Sequence, residues 1–174
     1  MRVWLAWLAL ALLAGCAGVP VGEPEAALGP PLQSFSAEGR ISLRQGDRSD
    51  HLQFDWQHSP QRDVMLFSTP LGQGLAELGR DASGAWLLIP GAQERRAADL
   101  AELAQRVFGA PLPLDVLADW LRGAQPVLEG VTDGWRIAIT ETMPYDQRRL
   151  PRRLEVRRGE VELRIVIDAW GQGG

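Results

Sequence analysis

The sequence predicts a mainly β protein built on one strongly curved antiparallel sheet, with two helices covering its concave face or open mouth. Three observations carry this. Apolar and polar residues alternate with period two along five segments, the pattern of half-buried antiparallel strands. Short turn signals separate those segments. Two stretches with helical spacing fall between an early and a late group of strands, which places them together over the sheet.

The strands come in order. In "FSAEGRISLR", Phe35, Ala37, Gly39, Ile41 and Leu43 share one face. In "HLQFDWQ", Leu52, Phe54 and Trp56 alternate with polar residues. "WRIAIT" groups Trp135, Ile137 and Ile139, "RLEVR" groups Leu154 and Val156, and "VELRIVID" groups Val161, Leu163, Ile165 and Ile167. Turns are expected at "QGD" (45–47), "DASG" (81–84), "TDG" (132–134) and "RG" (158–159). The first helix is "AADLAELAQRVFG", with Leu100, Leu103, Ala104 and Val107 at helical spacing and Gly109 as its stop. The second, "PLPLDVLADWLRG", opens with prolines, aligns Leu114, Leu117 and Leu121, and stops at Gly123. Large groups are expected to point inward: Phe54, Trp56, Trp86 and Trp135 from strands, Phe108 and Trp120 from helices. From the pattern alone, these side chains fill a solid core more simply than they line a cavity.

The N-terminus carries a different message. Residues 1–15 have one early cation, Arg2, then the apolar run Val3–Leu13, the layout of a secretory signal peptide that is removed. The run ends in "LAGC", which resembles the bacterial lipobox, so Cys16 is the expected site of lipidation and the first residue of the mature chain. Cys16 is the only cysteine, so no disulfide can form within the chain, and a thioether to lipid accounts for it. Several acyl chains on one residue make a lasting anchor where a single chain does not. Ala17 follows, where an aspartate would signal retention in the inner membrane. Residues 16–34, rich in glycine and proline, are expected to form a flexible tether, and residues 35–174 a single domain.

Composition narrows the function. All 18 basic residues are arginine, and the net charge of −4 is wrong for a general nucleic-acid binder. His51 and His58, the two histidines, read as a solvated strand face; no metal-ligand cluster or activated nucleophile accompanies them, so neither a metal site nor a catalytic residue is expected. The arginines of "RRLPRRLEVRR" (Arg148, Arg149, Arg152, Arg153, Arg157 and Arg158) suit either a solvated strand face or a surface that attracts anionic groups. "STPLGQG" poses a sharper question, because it puts Leu71 between a proline and a glycine, in a turn where an apolar side chain gains nothing from water.

Several segments together resemble the outer-membrane lipoprotein receptor family LolB: the lipobox and tether, "GRISLR" followed by "FDW", "STPLGQGLAELGRD", "LPLDVLADWLRG", and "LPRRLEV" with "LRIVIDAW". The resemblance runs from Cys16 nearly to the C-terminus. It implies an incomplete antiparallel β-barrel closed by a helical lid around a hydrophobic cavity, which favours the cavity over the solid core. It also implies an outer-membrane location, lipid-anchored, with the body facing the periplasm. Such a protein takes lipoproteins from a soluble periplasmic carrier and inserts them into the inner leaflet of the outer membrane, as a monomer, without cofactor or covalent chemistry. Ile41, Leu43, Phe54, Trp56, Leu103, Trp120 and Trp135 are then the expected lining of the acyl cavity. Pro70, Leu71 and Gly72 match the family's membrane-engaging loop; alternatively, Leu71 folds back as a plug on the barrel rim. A structural or scaffold lipoprotein of the outer membrane, without ligand transfer, is the competing reading.

Overall fold

The computed structural model describes residues 28–171; the signal peptide, Cys16 and most of the expected tether lie outside them. Ten strands form one antiparallel sheet: β1 (Phe35–Gln45), β2 (Arg48–Ser59), β3 (Arg62–Ser68), β4 (Gly74–Asp81), β5 (Gly84–Leu88), β6 (Arg95–Ala97), β7 (Glu129–Thr132), β8 (Trp135–Tyr145), β9 (Arg148–Arg158) and β10 (Val161–Gly171). The spatial order is β6-β5-β4-β3-β2-β1-β10-β9-β8-β7. Since β6 and β7 are edges, the sheet is open, and β1 beside β10 joins its two meanders.

The two helices, α1 (Leu100–Phe108) and α2 (Leu114–Leu121), sit in the chain between those edge strands. The Asp99 side chain accepts a bond from the Glu102 N–H to cap α1, and Gly109 ends it in the left-handed region, as the sequence predicts. The inner faces of the strands and helices meet in one apolar cluster. The period-two faces read from the sequence are the buried faces here, from Phe35 through Ile167.

Registers fix what lies at each end. The turns of β1–β2, β3–β4, β5–β6, β7–β8 and β9–β10 share one end of the sheet. The other end holds the β2–β3, β4–β5 and β8–β9 turns. Residues 28–34, expected to belong to a flexible tether, are docked at that second end. Leu28 is buried against Gly123, Leu32 N–H donates to the Arg122 carbonyl at 2.8 Å, and the Pro30 carbonyl accepts from Arg148.

Two inward-or-outward assignments are corrected. Trp86 lies on the outer face. Its ring covers Gly79, where any Cβ would collide with it; its Nε1 donates to Glu77 at 3.1 Å, and the Arg62 guanidinium lies 5.1 Å from the ring centre. "AWLLI" is a nearly continuous apolar run, so alternation could not orient it, and Ala85 and Leu87 take the inner face instead. His51 is exposed as expected, but His58 is buried, stacked on Phe35 at 4.9 Å.

His58 belongs to a buried polar cluster around Asp63, which is 1% exposed. Asp63 accepts from Trp56 Nε1 at 2.8 Å and from His58 Nδ1 at 2.7 Å, and lies 2.6 Å from Arg80 Nη2. Arg80 also reaches Asp115 in the first turn of α2, at 3.2 Å, which ties the helical cover to the sheet. Burial pushes the Asp63 carboxyl up, but the hydrogen bonds from His58 and Trp56 and the charges of His58 and Arg80 outweigh it and hold the group below its ordinary 3.8.

A carboxyl lowered in the fold contributes stability that is complete above its ordinary value and is lost as pH falls through the lower folded value. Asp63→Asn is therefore expected to cost about 2–3 kcal/mol at neutral pH, the lower range because Arg80 is partly exposed and screened by water. Melting temperatures taken from pH 7 to pH 2.5 check the cause: the wild type loses more stability below pH 4 than the variant does, and parallel curves would remove Asp63 as the acid-sensitive group.

Candidate functional site

Two features stand out as candidates: the interior under the helices and the turn that carries Leu71. All seven residues expected to line a cavity are buried in the single apolar cluster. Ile41 and Leu43 come from β1, Phe54 and Trp56 from β2, and Trp135 from β8. Leu103 and Trp120 face them from α1 and α2. Phe67 and Phe108 meet edge to face at 4.9 Å, so sheet and cover touch directly. Sequence reasoning passed over several members of this cluster, Met65, Leu78 and Leu87 among them. Met65 and Leu78 follow the same alternation and face each other across β3 and β4.

The interior is chemically plain. Its polar groups gather at the end near Asp63, and among the described residues no cluster of histidine, cysteine or carboxylates could hold a metal ion. An acyl chain is the kind of ligand that such surroundings accept. The outer face is different. A groove of about 460 Å³ there is lined by Arg40, Arg153, Arg164 and His51 together with Leu52, Pro70 and Val166, a mixed charged and apolar surface.

The arginine run divides among local partners. Arg152 and Arg153 flank Glu141 at 2.8 and 3.7 Å, Arg157 reaches Glu155 at 2.6 Å, and Arg158 covers the Trp135 ring at 4.3 Å. Arg149 bonds Thr142, and Arg148 holds Pro30. On the adjoining face, Arg44, Arg157 and Arg164 converge on Glu162. Burial raises the Glu162 carboxyl, and the bonds from Arg44 and Arg164 overcome this and lower it. The solvated strand face is thus the better description of most of the run.

The Leu71 turn is well built. Gly72 N–H donates to the Thr69 carbonyl at 2.8 Å, closing a β-turn with Pro70 in the position that its fixed φ suits. Gly72 then takes φ 83°, open to glycine at little cost. Gln73 N–H is held by Thr69 Oγ1 at 3.1 Å, and Thr69 N–H donates to the Gln73 carbonyl at 2.9 Å. Gln53 of β2 reaches the Pro70 carbonyl at 3.4 Å. The result is a braced tip with Leu71 98% exposed. None of the described residues covers the side chain, which is not the arrangement of a plug on the barrel rim. Leu66, Leu88 and Ile89 are also partly exposed on the neighbouring strands and the β5–β6 turn.

The comparisons with known proteins define first a class and then a family. A LolA superfamily protein from Nitrosomonas europaea superposes with a TM-score of 0.54 at 10% identity, covering 83% of this chain and 88% of that one. A DUF1329 family protein from Desulfovibrio piger gives 0.53 at 10% identity, over 83% and 87%. At that identity the likeness concerns the fold alone: an open, curled antiparallel sheet of the kind seen in the LolA superfamily. The family described as Outer membrane lipoprotein LolB matches residues 33–170. The outer-membrane lipoprotein LolB of Chromobacterium violaceum is 35% identical over 97% of this chain and 98% of its own, and that of Thiobacillus denitrificans 35% identical over 95% and 93%. The chain belongs to the LolB family of outer-membrane lipoproteins. Among the described residues no helix is long and apolar enough to cross a membrane.

Proposed function

We propose that this protein receives acylated lipoproteins from a soluble periplasmic carrier into the interior between sheet and helices, and delivers them to the inner leaflet of the outer membrane through a step that uses Leu71. The observation that carries the reading is Leu71 itself: a fully exposed leucine on a turn braced by four hydrogen bonds. A turn that only reversed the chain would not need an apolar tip. One leucine buried in lipid contributes about 1.5–3 kcal/mol, too little to hold a protein at a membrane but enough to orient one already anchored there.

Reception and delivery separate in this scheme. Reception needs α1 and α2 to part from the sheet, so that Leu103, Trp120 and their neighbours exchange contacts with each other for contacts with an acyl chain. The apolar area withdrawn from water changes little in such an exchange. Delivery needs the Leu71 end to face lipid. The anchor at Cys16 permits this: the stretch from Cys16 to Leu28 reaches about 40 Å when extended, whereas the Leu71 turn follows β3, a strand of 7 residues that spans roughly 23 Å. The tether is long enough for anchor and tip to meet one bilayer.

Cys16→Ala is expected to leave the protein unlipidated; recovery in the outer membrane at full yield and lipidated mass would contradict the anchor. Leu71→Glu tests the function. In a two-stage assay, carrier to receptor and then receptor to liposomes, the variant is expected to accept cargo at the wild-type level and to deliver it about tenfold more slowly, with unchanged melting. Normal delivery by the folded variant would remove the membrane role of Leu71, and acceptance falling together with delivery would place the leucine in cargo binding instead.

A further inference from the structure

We infer that the indole N–H of Trp120 is the donor that holds the carbonyl oxygen of an acyl ester or amide beneath the helical cover, an inference that rests on the acyl-receiving interior proposed above. Trp120 lies on the inner side of α2 and is 1% exposed. Its Nε1 is buried and has no hydrogen-bond partner among the described residues. Three other indoles among the described residues have a partner: Trp56 donates to Asp63, Trp86 to Glu77, and Trp170 to the Pro151 carbonyl at 3.0 Å. Two more buried atoms lack a hydrogen bond, Asp63 Oδ2 and Arg80 Nε, but both sit in ion pairs with each other's residue or with Asp115. Trp120 has no such explanation.

An orphaned buried donor is destabilising, because its bond to water is lost and nothing replaces it. Leu117 and Leu121 fill neighbouring positions of the same helix with no polar atom, so an apolar residue at 120 would pack without that loss. The ring is also held in place, its benzenoid edge against Gly130 of β7, where a Cβ would stand 3.3 Å away. A fixed, unsatisfied donor in apolar surroundings suits a ligand that is mostly hydrocarbon and carries a neutral acceptor. A charged headgroup does not fit, since a single neutral N–H cannot offset the cost of bringing a charge there. The carbonyl of a fatty ester or amide does fit. On this account Trp120 sets how deep the acyl chain sits, by fixing the carbonyl end while Leu103, Phe54 and Trp135 surround the hydrocarbon.

The test compares an ester and an ether that differ only at the acceptor, with an amide beside them. The lipidated protein, held in a mild detergent, is titrated with a diacylglycerol, with the dialkyl ether of the same chain length, which has no carbonyl, and with a fatty N-methylamide. The wild type is expected to favour the ester over the ether by about fivefold, the worth of one hydrogen bond. A preference shown by the amide alone would assign the bond to the N-acyl group of the cargo. Trp120→Phe is expected to bind ester and ether equally, through weaker ester binding. Equal binding of all three probes by the wild type overturns the role of Trp120 and leaves the acyl interior standing; failure to bind any of them removes the acyl interior itself. A Trp120→Phe protein that melts lower yet keeps the ester preference would show that the N–H serves the fold. The wild-type comparison needs no variant, so it stands whether or not Trp120→Phe folds.

Discussion

An open sheet with one apolar face must have that face covered, and the rest of this structure follows from how the cover is made. The two edges, β6 and β7, do not pair with each other, and the chain between them supplies α1 and α2. Those helices are short, and they hold to the sheet chiefly by apolar contact. Among the described residues their polar ties are the Arg80–Asp115 pair, with Asp115 largely exposed, and the two bonds between Arg122 and Leu32 of the N-terminal segment. Hydrophobic contact is non-directional. A cover held this way can give up contacts with the sheet to hydrocarbon of another origin at small net cost, which a cover held by a specific hydrogen-bond network could not do.

The sheet is fastened differently from its cover. Asp63 draws β2, β3 and β4 together through Trp56, His58 and Arg80, and Glu162 gathers arginines from β1, β9 and β10. The contacts to buried Asp63 are directional and costly to break, while those to Glu162, from largely exposed arginines, contribute less. The molecule thus pairs a stiff frame with a yielding lid. The Leu71 turn belongs to the frame, braced by Thr69 and Gln53.

The parts legible in the sequence are those where one face meets water and the other does not. The long strands β1, β2, β8, β9 and β10 alternate cleanly, and Gly109 and Gly123 marked where the helices stop. Where that contrast fails, reading fails. In β5, Trp86 is covered on the outside by Gly79, Glu77 and Arg62, so hydropathy could not orient it. β6 and β7 are too short to show a period. His58 stands two residues after Trp56 and so on its face, yet its burial depends on Asp63 across the β2–β3 turn, a pairing visible only in the register. The lone donor of Trp120 was likewise out of reach, because an absent partner is a property of the packed structure. Leu71 drew attention through its place between a proline and a glycine, and it is exposed at the tip of its turn.

The central claim is that the packed interior and the cargo site are one place, exchanged between side chains and acyl chain. The direct measurement is a structure of the lipidated protein with an acylated peptide bound. The account predicts hydrocarbon between the sheet and the two helices, touching Leu43, Phe54 and Leu103, with α1 and α2 displaced and the frame around Asp63 unchanged. An acyl chain seated in the arginine-lined groove of the outer face, over an interior still closed, would contradict it.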